Sequence, residues 1–313
     1  MTVDISEPVY DKTPPCVVAI GNFDGVHTAH RELLEKAVET AKKLTLERGE
    51  KVIPAAFTFR HLKTNVGYIT DFDEKTKLLC DNGMDICYFC DFGKIKDMSP
   101  EEFTEKILIS RVNAVGVVCG FNFRFGKDAK GDAALLNEIL TDKYGITLSV
   151  IPQITCGDVT VSSTEIRRAI SDGDFELAKK MLGREFEISG IVEHGREVGR
   201  KMDCPTLNIP IDIHRAHPRY GVYFSRCQFD GKSVPSICNI GVRPTFDSSF
   251  GESRPLCEIH LLGGFDRMPI AGDRISVIPD KFCRPEIKFD SPSALYKQIA
   301  KDSADAVSFY ALR

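Results

Sequence analysis

Residues 20–30 read Ile-Gly-Asn-Phe-Asp-Gly-Val-His-Thr-Ala-His, and this stretch decides the fold of the first half of the chain. An apolar run at 16–20 precedes the first glycine, and apolar residues at helical spacing follow at 33, 34, 37, 38 and 41. These patterns predict a buried strand, a glycine loop and a helix. Because a helix start offers free N–H groups and positive dipole character, the stretch predicts an anion site.

Strand and helix patterns alternate from this stretch to residue 183. Further strands are predicted at 52–59, 84–89, 114–119 and 146–151, with helices between them. Ser99 with Glu102, and Ser162 with Glu165, form capping boxes at two helix starts. Repeated alternation of this kind predicts an α/β domain with a Rossmann-like parallel sheet and helices on both faces.

After Gly183 the pattern changes to short strands. Asp230-Gly231 lies between two of them and predicts a tight hairpin. Ser291 and Pro292 begin a final helix. We therefore predict an all-β, antiparallel unit that closes into a barrel and ends in a helix, and domains at residues 1–184 and 185–313.

Bulk composition narrows the class of protein. The 313 residues carry a formal net charge of −4, which does not favour nonspecific nucleic-acid binding. No apolar run approaches the roughly 20 residues of a membrane span, and the first residues lack a secretory pattern. The eleven cysteines are odd in number, and Cys87 and Cys90 form a lone CxxC that we interpret as core. We expect a cytoplasmic protein without nucleic-acid or membrane partners; its oligomeric state is not predicted.

His27 and His30 are three residues apart at the predicted helix start, so they face one side. Two imidazoles beside an anion site suit nucleotidyl transfer, in which negative charge develops on phosphate oxygens. A metal site or plain surface histidines are the alternatives for such a pair. The order of strand, glycine loop and histidine pair favours the phosphate site.

Two later segments are predicted to reach the same pocket. Asn122 follows the strand at 114–119, and carboxyl ends of parallel strands converge on a ligand crevice. Residues 162–167 begin another helix, where Arg167 is the better ligand candidate. Capping alone explains Ser162 and Glu165.

The second half contains a second constellation. Gly190, Gly195 and Gly199 suggest a loop shaped around phosphates, although three glycines alone also fit an ordinary turn. Thr206 and Asn208 offer the oxygen ligands that Mg²⁺ prefers. Glu258 and His260 share a strand face, where a carboxylate could accept the proton of an attacking alcohol. Spacing alone favours a solvent-facing pair for these last two.

The strings GNFDGVHTAH, FNFRFG and SSTEIR resemble the FMN adenylyltransferase module of bacterial FAD synthetases over residues 15–183. The resemblance implies that His27 and His30 bind the ATP phosphates and the transition state. It also implies further phosphate or ATP ligands: Gly21, Asn22, Phe23, Asp24, Gly25, Asn122, Ser163, Thr164 and Arg167. Two departures are Ala29 in place of the family glycine, and Arg60-His61-Leu62 in place of a Pro-His-Pro element.

The set PTLNI, GVYF, CNIGVRPTF, CEIHLL and CRPEIKF resembles bacterial riboflavin kinase over residues 186–313. The resemblance implies a six-stranded barrel with a C-terminal helix. It also implies that Glu258 is the catalytic base, that Thr206 and Asn208 bind Mg²⁺ and ATP, and that Arg284 contacts the flavin nucleotide.

Together these resemblances identify the chain as a member of the bifunctional riboflavin kinase/FMN adenylyltransferase family. They imply that it converts riboflavin to FMN and FMN to FAD with ATP. Two alternatives stay open at this point: a kinase with a non-catalytic first domain, and a flavin or nucleotide sensor without catalysis.

Overall fold

The structure is a computed structural model that describes residues 1–6, 13–60, 67–193, 206–242 and 254–312. The chain divides into two compact units, Met1–Glu165 and Ile166–Arg313. The predicted domain boundary after residue 184 remains a prediction.

The first unit alternates strands and helices. In chain order its strands are β1 (Thr2–Asp4), β2 (Cys16–Ile20), β3 (Ile53–Phe59), β4 (Ile86–Cys90), β5 (Ala114–Gly120), β6 (Arg124–Phe125), β7 (Gly131–Asp132), β8 (Leu148–Ile151), β9 (Thr155–Cys156) and β10 (Val159–Thr160). Its helices are α1 (Thr28–Arg48), α2 (Phe72–Asp81), α3 (Phe92–Ile95), α4 (Pro100–Phe103) and α5 (Ala133–Tyr144). A π-helical segment, Thr104–Ile109, continues α4, and a 3₁₀ turn covers Lys127–Ala129.

Six of these strands form one parallel sheet with the order β1-β4-β3-β2-β5-β8. From β2 the chain moves in one direction through β3 to β4, and then crosses back to place β5 on the other side of β2. The strand order therefore reverses between β2 and β5. Ligand crevices in open parallel sheets form at such a reversal, outside the carboxyl ends of the strands.

Both faces of this sheet are covered, as the strand alternation predicts. Val17 and Ala19 of β2 pack on one face with Leu34 and Ala37 of α1. Val18, on the opposite face, packs in a second cluster that includes residues of α5 and of the π-helical segment. Successive strand residues point to opposite faces, so a strand buried on both faces is apolar throughout. The predicted α/β sheet is confirmed.

The helix boundaries follow local chemistry. Ser99 and Glu102 form the predicted capping box, with Pro100 in the first turn of α4. Gly145 ends α5 at φ 63°, a left-handed conformation that glycine adopts without steric cost. The short strand β1 and the four-residue α3 had no clear periodic pattern.

The second unit contains an antiparallel sheet. Its strands are β11 (Ile188–Ile191), β12 (Thr206–Pro210), β13 (Gly221–Phe229), β14 (Lys232–Val242), β15 (Pro255–Leu261) and β16 (Arg274–Arg284). The helix α6 (Ser163–Asp172) crosses the division between the units, and α7 (Phe175–Leu182) and α8 (Pro292–Ala311) follow.

These strands have the order β11-β16-β13-β14-β15-β12, and all pairs are antiparallel. The sheet nearly closes on itself where the amide of Glu193 donates to the carbonyl of Asn208 over 2.9 Å. Asp230 (φ 48°) and Gly231 (φ 73°) make the predicted hairpin turn between β13 and β14. The predicted six-stranded barrel is confirmed.

The C-terminal helix also follows the prediction. Ser291 caps α8 by accepting a hydrogen bond from the Ala294 amide. On the barrel side, Ala306 of this helix packs in a cluster with Phe224 and Ile237. The helix therefore covers the outer faces of β13 and β14.

Candidate active sites

The loop after β2 has an unusual backbone. Phe23 (φ 53°) and Val26 (φ 38°) are non-glycine residues with positive φ, and both are fully buried. Positive φ is rare for a β-branched residue and persists only where the surroundings enforce it. This loop lies at the reversal of strand order, where the topology predicts a ligand site.

The surroundings that enforce this loop conformation are visible in its hydrogen bonds. The Asp24 carboxylate accepts from the amides of Ile69 (2.8 Å) and Thr70 (3.2 Å). The Thr70 hydroxyl accepts from the Gly25 amide, and the Ser163 hydroxyl donates to the Asp24 carbonyl over 2.9 Å. Asp24 therefore holds the loop in place through a buried network.

His27 and His30 meet at the start of α1. Their rings stack with centroids 3.5 Å apart and an interplanar angle of 14°. His27 is the N-cap, and its Nδ1 accepts a 3.3 Å hydrogen bond from the His30 amide. A neutral His27 therefore carries its proton on Nε2.

The environment of His30 favours its neutral form. Burial, followed by the charges of His27 and Lys75, lowers the pKa of His30 well below its usual value of 6.5. Its Nδ1 is buried and has no hydrogen-bond partner among the residues that the structure describes. An unsatisfied buried polar atom in a crevice is typical of a position that a ligand completes.

A cavity of about 700 Å³ opens beside this histidine pair. One part of its wall is polar and includes Asn22, His27, His30, Asn122 and Ser163. Another part is aromatic and apolar: Phe57, Phe59, Phe92, Ile95, Phe103, Phe121, Phe123 and Phe125. The arrangement can hold a polar, anionic group beside a flat apolar one.

The predicted phosphate ligands divide into two groups around this cavity. Gly21 and the polar set named above line it. The others, which do not line it, are Phe23, Asp24, Gly25, Thr164 and Arg167. The first three of these are buried residues of the loop itself, and the last lies in the second unit.

Lys75 of α2 was not singled out from the sequence. Only 5% of its surface is exposed, and its ammonium donates to the carbonyls of Phe59 (2.7 Å) and Asn22 (3.3 Å). Burial lowers its pKa to about 8, against the opposing effect of Asp24. A helical pattern does not distinguish this lysine from a surface one, so only the structure reveals it.

The second site lies on three neighbouring strands of the barrel. On β12 and β15, Asn208 stands opposite Glu258, and Thr206 stands opposite His260. On β14, Asn239 is the register partner of Glu258 from the other side. Directly opposed residues of antiparallel strands point to the same face. Hydroxyl, amide and carboxylate oxygens therefore share one surface.

That surface lines a cavity of about 510 Å³. Thr206, Asn208, Glu258, His260 and Arg284 all contribute to its wall. Apolar side chains complete the wall: Val222, Ile237, Ile287, Phe289, Leu295, Tyr296 and Ile299. The predicted metal ligands and the predicted base thus surround a common space, which the sequence spacing alone did not establish.

Arg284 is held by a buried carboxylate. Its Nε and one terminal nitrogen donate to Asp302 Oδ2 over 3.0 and 2.7 Å, and Gln298 donates to the other oxygen over 2.7 Å. Asp302 is only 2% exposed. This network joins the end of β16 to α8, which forms one side of the cavity.

Of the three glycines that are predicted to shape a phosphate loop, Gly190 lies among the described residues. Gly195 and Gly199 lie outside the described residues, as do His61 and Leu62 of the altered Pro-His-Pro element. Gly190 lies within β11, does not line the cavity, and would overlap Ile209 of β12 if it carried a Cβ. Close approach of β11 and β12 thus explains this glycine.

The lone CxxC pair lies in the core of the first unit. Cys87 and Cys90 are buried on β4 as predicted. In the described ranges, no cluster of three or more His, Cys, Asp or Glu side chains is suited to hold a metal. Across those same ranges, no helix combines the length and apolarity of a membrane span.

Comparison with known proteins gives consistent matches. The FAD synthetase family model matches residues 10–165, and the riboflavin kinase family model matches residues 182–310. A bifunctional riboflavin kinase/FMN adenylyltransferase of Bacillus subtilis is 31% identical to this chain. The aligned region covers 99% of this chain and 98% of the Bacillus protein. Its counterpart from Buchnera aphidicola subsp. Schizaphis graminum is 34% identical over 91% of each chain. The Escherichia coli K12 counterpart is 33% identical, covering 95% of this chain and 93% of its own.

A solved structure has a similar fold. A crystal structure described as a macrolide-efflux protein from Streptococcus pneumoniae superimposes with a TM-score of 0.78 at 27% identity, covering 97% of both chains.

The fold and the two cavities define a class of nucleotide-using transferases that join a Rossmann-like unit to a six-stranded barrel. The chain belongs to the family of bifunctional riboflavin kinase/FMN adenylyltransferases, because both family models match it and its relatives are similar along nearly their whole length. It phosphorylates riboflavin to FMN and adenylylates FMN to FAD, with ATP as co-substrate. A kinase-only alternative is not favoured.

Proposed function

We propose that the two reactions occur in the two cavities separately, with adenylylation beside His27 and His30 and phosphorylation beside Glu258. The observation that supports this most strongly is the barrel register, which sets Asn208 directly opposite Glu258 in a cavity of nucleotide size. The first cavity shares no lining residue with the second. Each reaction therefore has its own set of polar side chains.

In the first cavity, a phosphate oxygen of FMN attacks the α-phosphorus of ATP, and the bond to pyrophosphate breaks. Negative charge grows on the α-phosphate oxygens and on the leaving pyrophosphate. His27, His30 and Asn122 are proposed to donate hydrogen bonds to these oxygens, because donors fixed in advance need no reorganisation in the transition state. The aromatic wall of the cavity suits the flavin ring.

The remaining adenylyltransferase residues are proposed in supporting or binding roles. Phe23, Asp24 and Gly25 keep the loop in its strained shape, so that Gly21 and Asn22 reach the nucleotide. Ser163 and Thr164, at the start of α6, and Arg167, one turn later, are proposed to bind the triphosphate.

In the second cavity, the oxygen of the ribityl 5′-hydroxyl attacks the γ-phosphorus of ATP, and Glu258 is proposed to take the proton of that hydroxyl. The bond between the γ-phosphorus and the bridging oxygen breaks, and ADP leaves with that electron pair. A carboxylate within reach of the alcohol suits this general-base step. Arg284 is proposed to contact the flavin nucleotide from the position that Asp302 gives it.

Thr206 and Asn208 are proposed to hold Mg²⁺. Their side chains lie two residues apart on β12, share one face and offer oxygen donors, which fits a hard cation that takes few protein ligands. When bound, Mg²⁺ neutralises charge on the phosphate oxygens. Gly190, Gly195 and Gly199 stay proposed as a phosphate-shaping segment, and Gly190 has the packing role described above.

A chromatographic assay tests the proposed function. The purified chain is incubated with riboflavin, ATP and Mg²⁺, and the flavins are separated. We expect FMN followed by FAD. FMN without FAD would support the kinase-only alternative, and neither product would contradict the proposal.

The proposal also includes a cytoplasmic location. The ten cysteines among the described residues are all free thiols, which is typical of a reducing compartment.

A further inference from the structure

Lys75 joins the ends of two neighbouring parallel strands. Its Nζ donates to the carbonyl of Phe59, at the end of β3, and to the carbonyl of Asn22, just beyond β2. It also donates to Thr58 Oγ1 over 3.2 Å, and that hydroxyl donates to the same Asn22 carbonyl over 2.9 Å. Lys75, Thr58 and Asn22 therefore form a closed buried network.

This network reaches the adenylyltransferase cavity through Asn22. Asn22 lines the cavity, whereas Lys75 does not. A shift of the Lys75 ammonium would move the Asn22 carbonyl and the strained loop that continues to His27. Small displacements at such a loop matter, because a misplacement of about 1 Å far from the chemistry can cost about 100-fold in rate.

Burial of the Lys75 charge destabilises the fold. Removing an ammonium from water costs several kcal/mol in general. A neutral donor could form hydrogen bonds to the same carbonyls with a smaller desolvation cost. The charged and titratable groups that act on Lys75 are Asp24 of the loop and Cys87 of β4, and Lys75 in turn acts on His30 of α1. A costly cation beside a polyphosphate cavity indicates that the charge itself is used.

One use of this charge is visible at the imidazole pair. Burial, the His27 charge and the Lys75 charge all lower the pKa of His30, in that order of size. The ammonium therefore helps to keep His30 neutral before the nucleotide binds.

We propose that Lys75 is a positioning residue for adenylyl transfer: its ammonium fixes the Asn22 loop beside the imidazole pair. It acts through Asn22 and His30 and does not touch the nucleotide. The proposal rests on the assignment of adenylylation to this cavity.

Two substitutions separate the hydrogen bonds from the charge. Lys75→Met removes both, and Lys75→Gln keeps an amide donor without charge. We expect Lys75→Met to lower kcat for FAD formation from FMN about 10- to 100-fold, with a smaller change in KM for ATP. Lys75→Gln should lower kcat for FAD formation by a smaller factor. In both variants, NMR titration of the His30 ring should give a pKa closer to 6.5, because the repelling charge is gone.

The same chain supplies the controls. Riboflavin phosphorylation should continue at the wild-type rate in both variants, and Lys77→Met, an exposed lysine of the same helix, should change neither activity. Unchanged FAD formation in Lys75→Met would overturn the proposal. If Lys75→Met does not fold, then an unchanged His30 pKa and full kcat in Lys75→Gln would overturn it. Full FAD formation in His30→Gln would instead contradict the site assignment itself.

Discussion

Asn208 and Glu258 are direct register partners on β12 and β15, so an amide and a carboxylate stand side by side on the wall of one cavity. This relationship brings a proposed metal ligand and a proposed base to the same reacting group. The consequences can be tested residue by residue.

Glu258→Gln should lower FMN formation about 100- to 10,000-fold, because a general base contributes that much and glutamine cannot accept the proton. FAD formation from added FMN should be unchanged. A coupled assay for ADP measures the first reaction, and chromatography of FAD measures the second. Glu187→Gln, at an exposed position before β11, is the matched control. Full kinase activity in Glu258→Gln would remove the base from the mechanism.

Thr206→Val should raise the Mg²⁺ concentration needed for half-maximal FMN formation, by about tenfold, because it replaces a hydroxyl ligand with a methyl group of equal size. Thr206→Ser keeps the hydroxyl and should stay near wild type. Titrating Mg²⁺ in the kinase assay gives the comparison. Equal Mg²⁺ curves for valine and serine would show that the Thr206 hydroxyl does not bind the cation.

Asp302→Ala should destabilise the second unit by about 3–5 kcal/mol, because it leaves the Arg284 guanidinium inside the protein without its counter-charge. Urea unfolding of the full chain checks this. Asp305→Ala, three residues further along α8 at an exposed position, is the control and should change the unfolding free energy by less than about 0.5 kcal/mol. Similar losses for the two variants would contradict a structural role for the ion pair.

His30 should make the stability of the first unit depend on pH. Its folded pKa is lowered, so the unfolded chain binds this proton more readily. The stability that the neutral His30 ring contributes is fully present above about pH 6.5. Below that value the free energy of unfolding decreases as the pH falls, by at most about 1.4 kcal/mol per pH unit. Urea unfolding followed by circular dichroism between pH 5 and 7.5 measures it. His30→Gln should flatten the curve relative to wild type, whereas the exposed His214→Gln should not.

Much of the fold could be predicted because its signals are local. The helix start after residue 27, the hairpin at Asp230 and Gly231, and the end of α5 at Gly145 each depend on neighbouring residues. The alternation of strands and helices then fixes a parallel sheet. The short strand β1 escaped prediction because its position comes from pairing with β4, far along the chain.

The site residues needed more than local signals. Glu258 and His260 read as a solvent-facing pair by spacing, and only the pairing of β12, β15 and β14 gathers them into a cavity. Lys75 belongs to no sequence motif. Its burial depends on the ends of two strands that are distant from it in the sequence, so no local pattern indicates it. Gly190 stays proposed as part of a phosphate-shaping segment, and its close approach to Ile209 is a tertiary contact that the spacing of the glycines does not encode.

The central claim is that one polypeptide carries two independent catalytic sites, and mixing two variants tests it most directly. With riboflavin, ATP and Mg²⁺, Glu258→Gln alone should give almost no FMN or FAD, and His30→Gln alone should give FMN without FAD. An equimolar mixture should produce FAD, because FMN released by one variant is a substrate for the other. A mixture that accumulates FMN without FAD, or FAD formation by His30→Gln alone at the wild-type rate, would contradict the account.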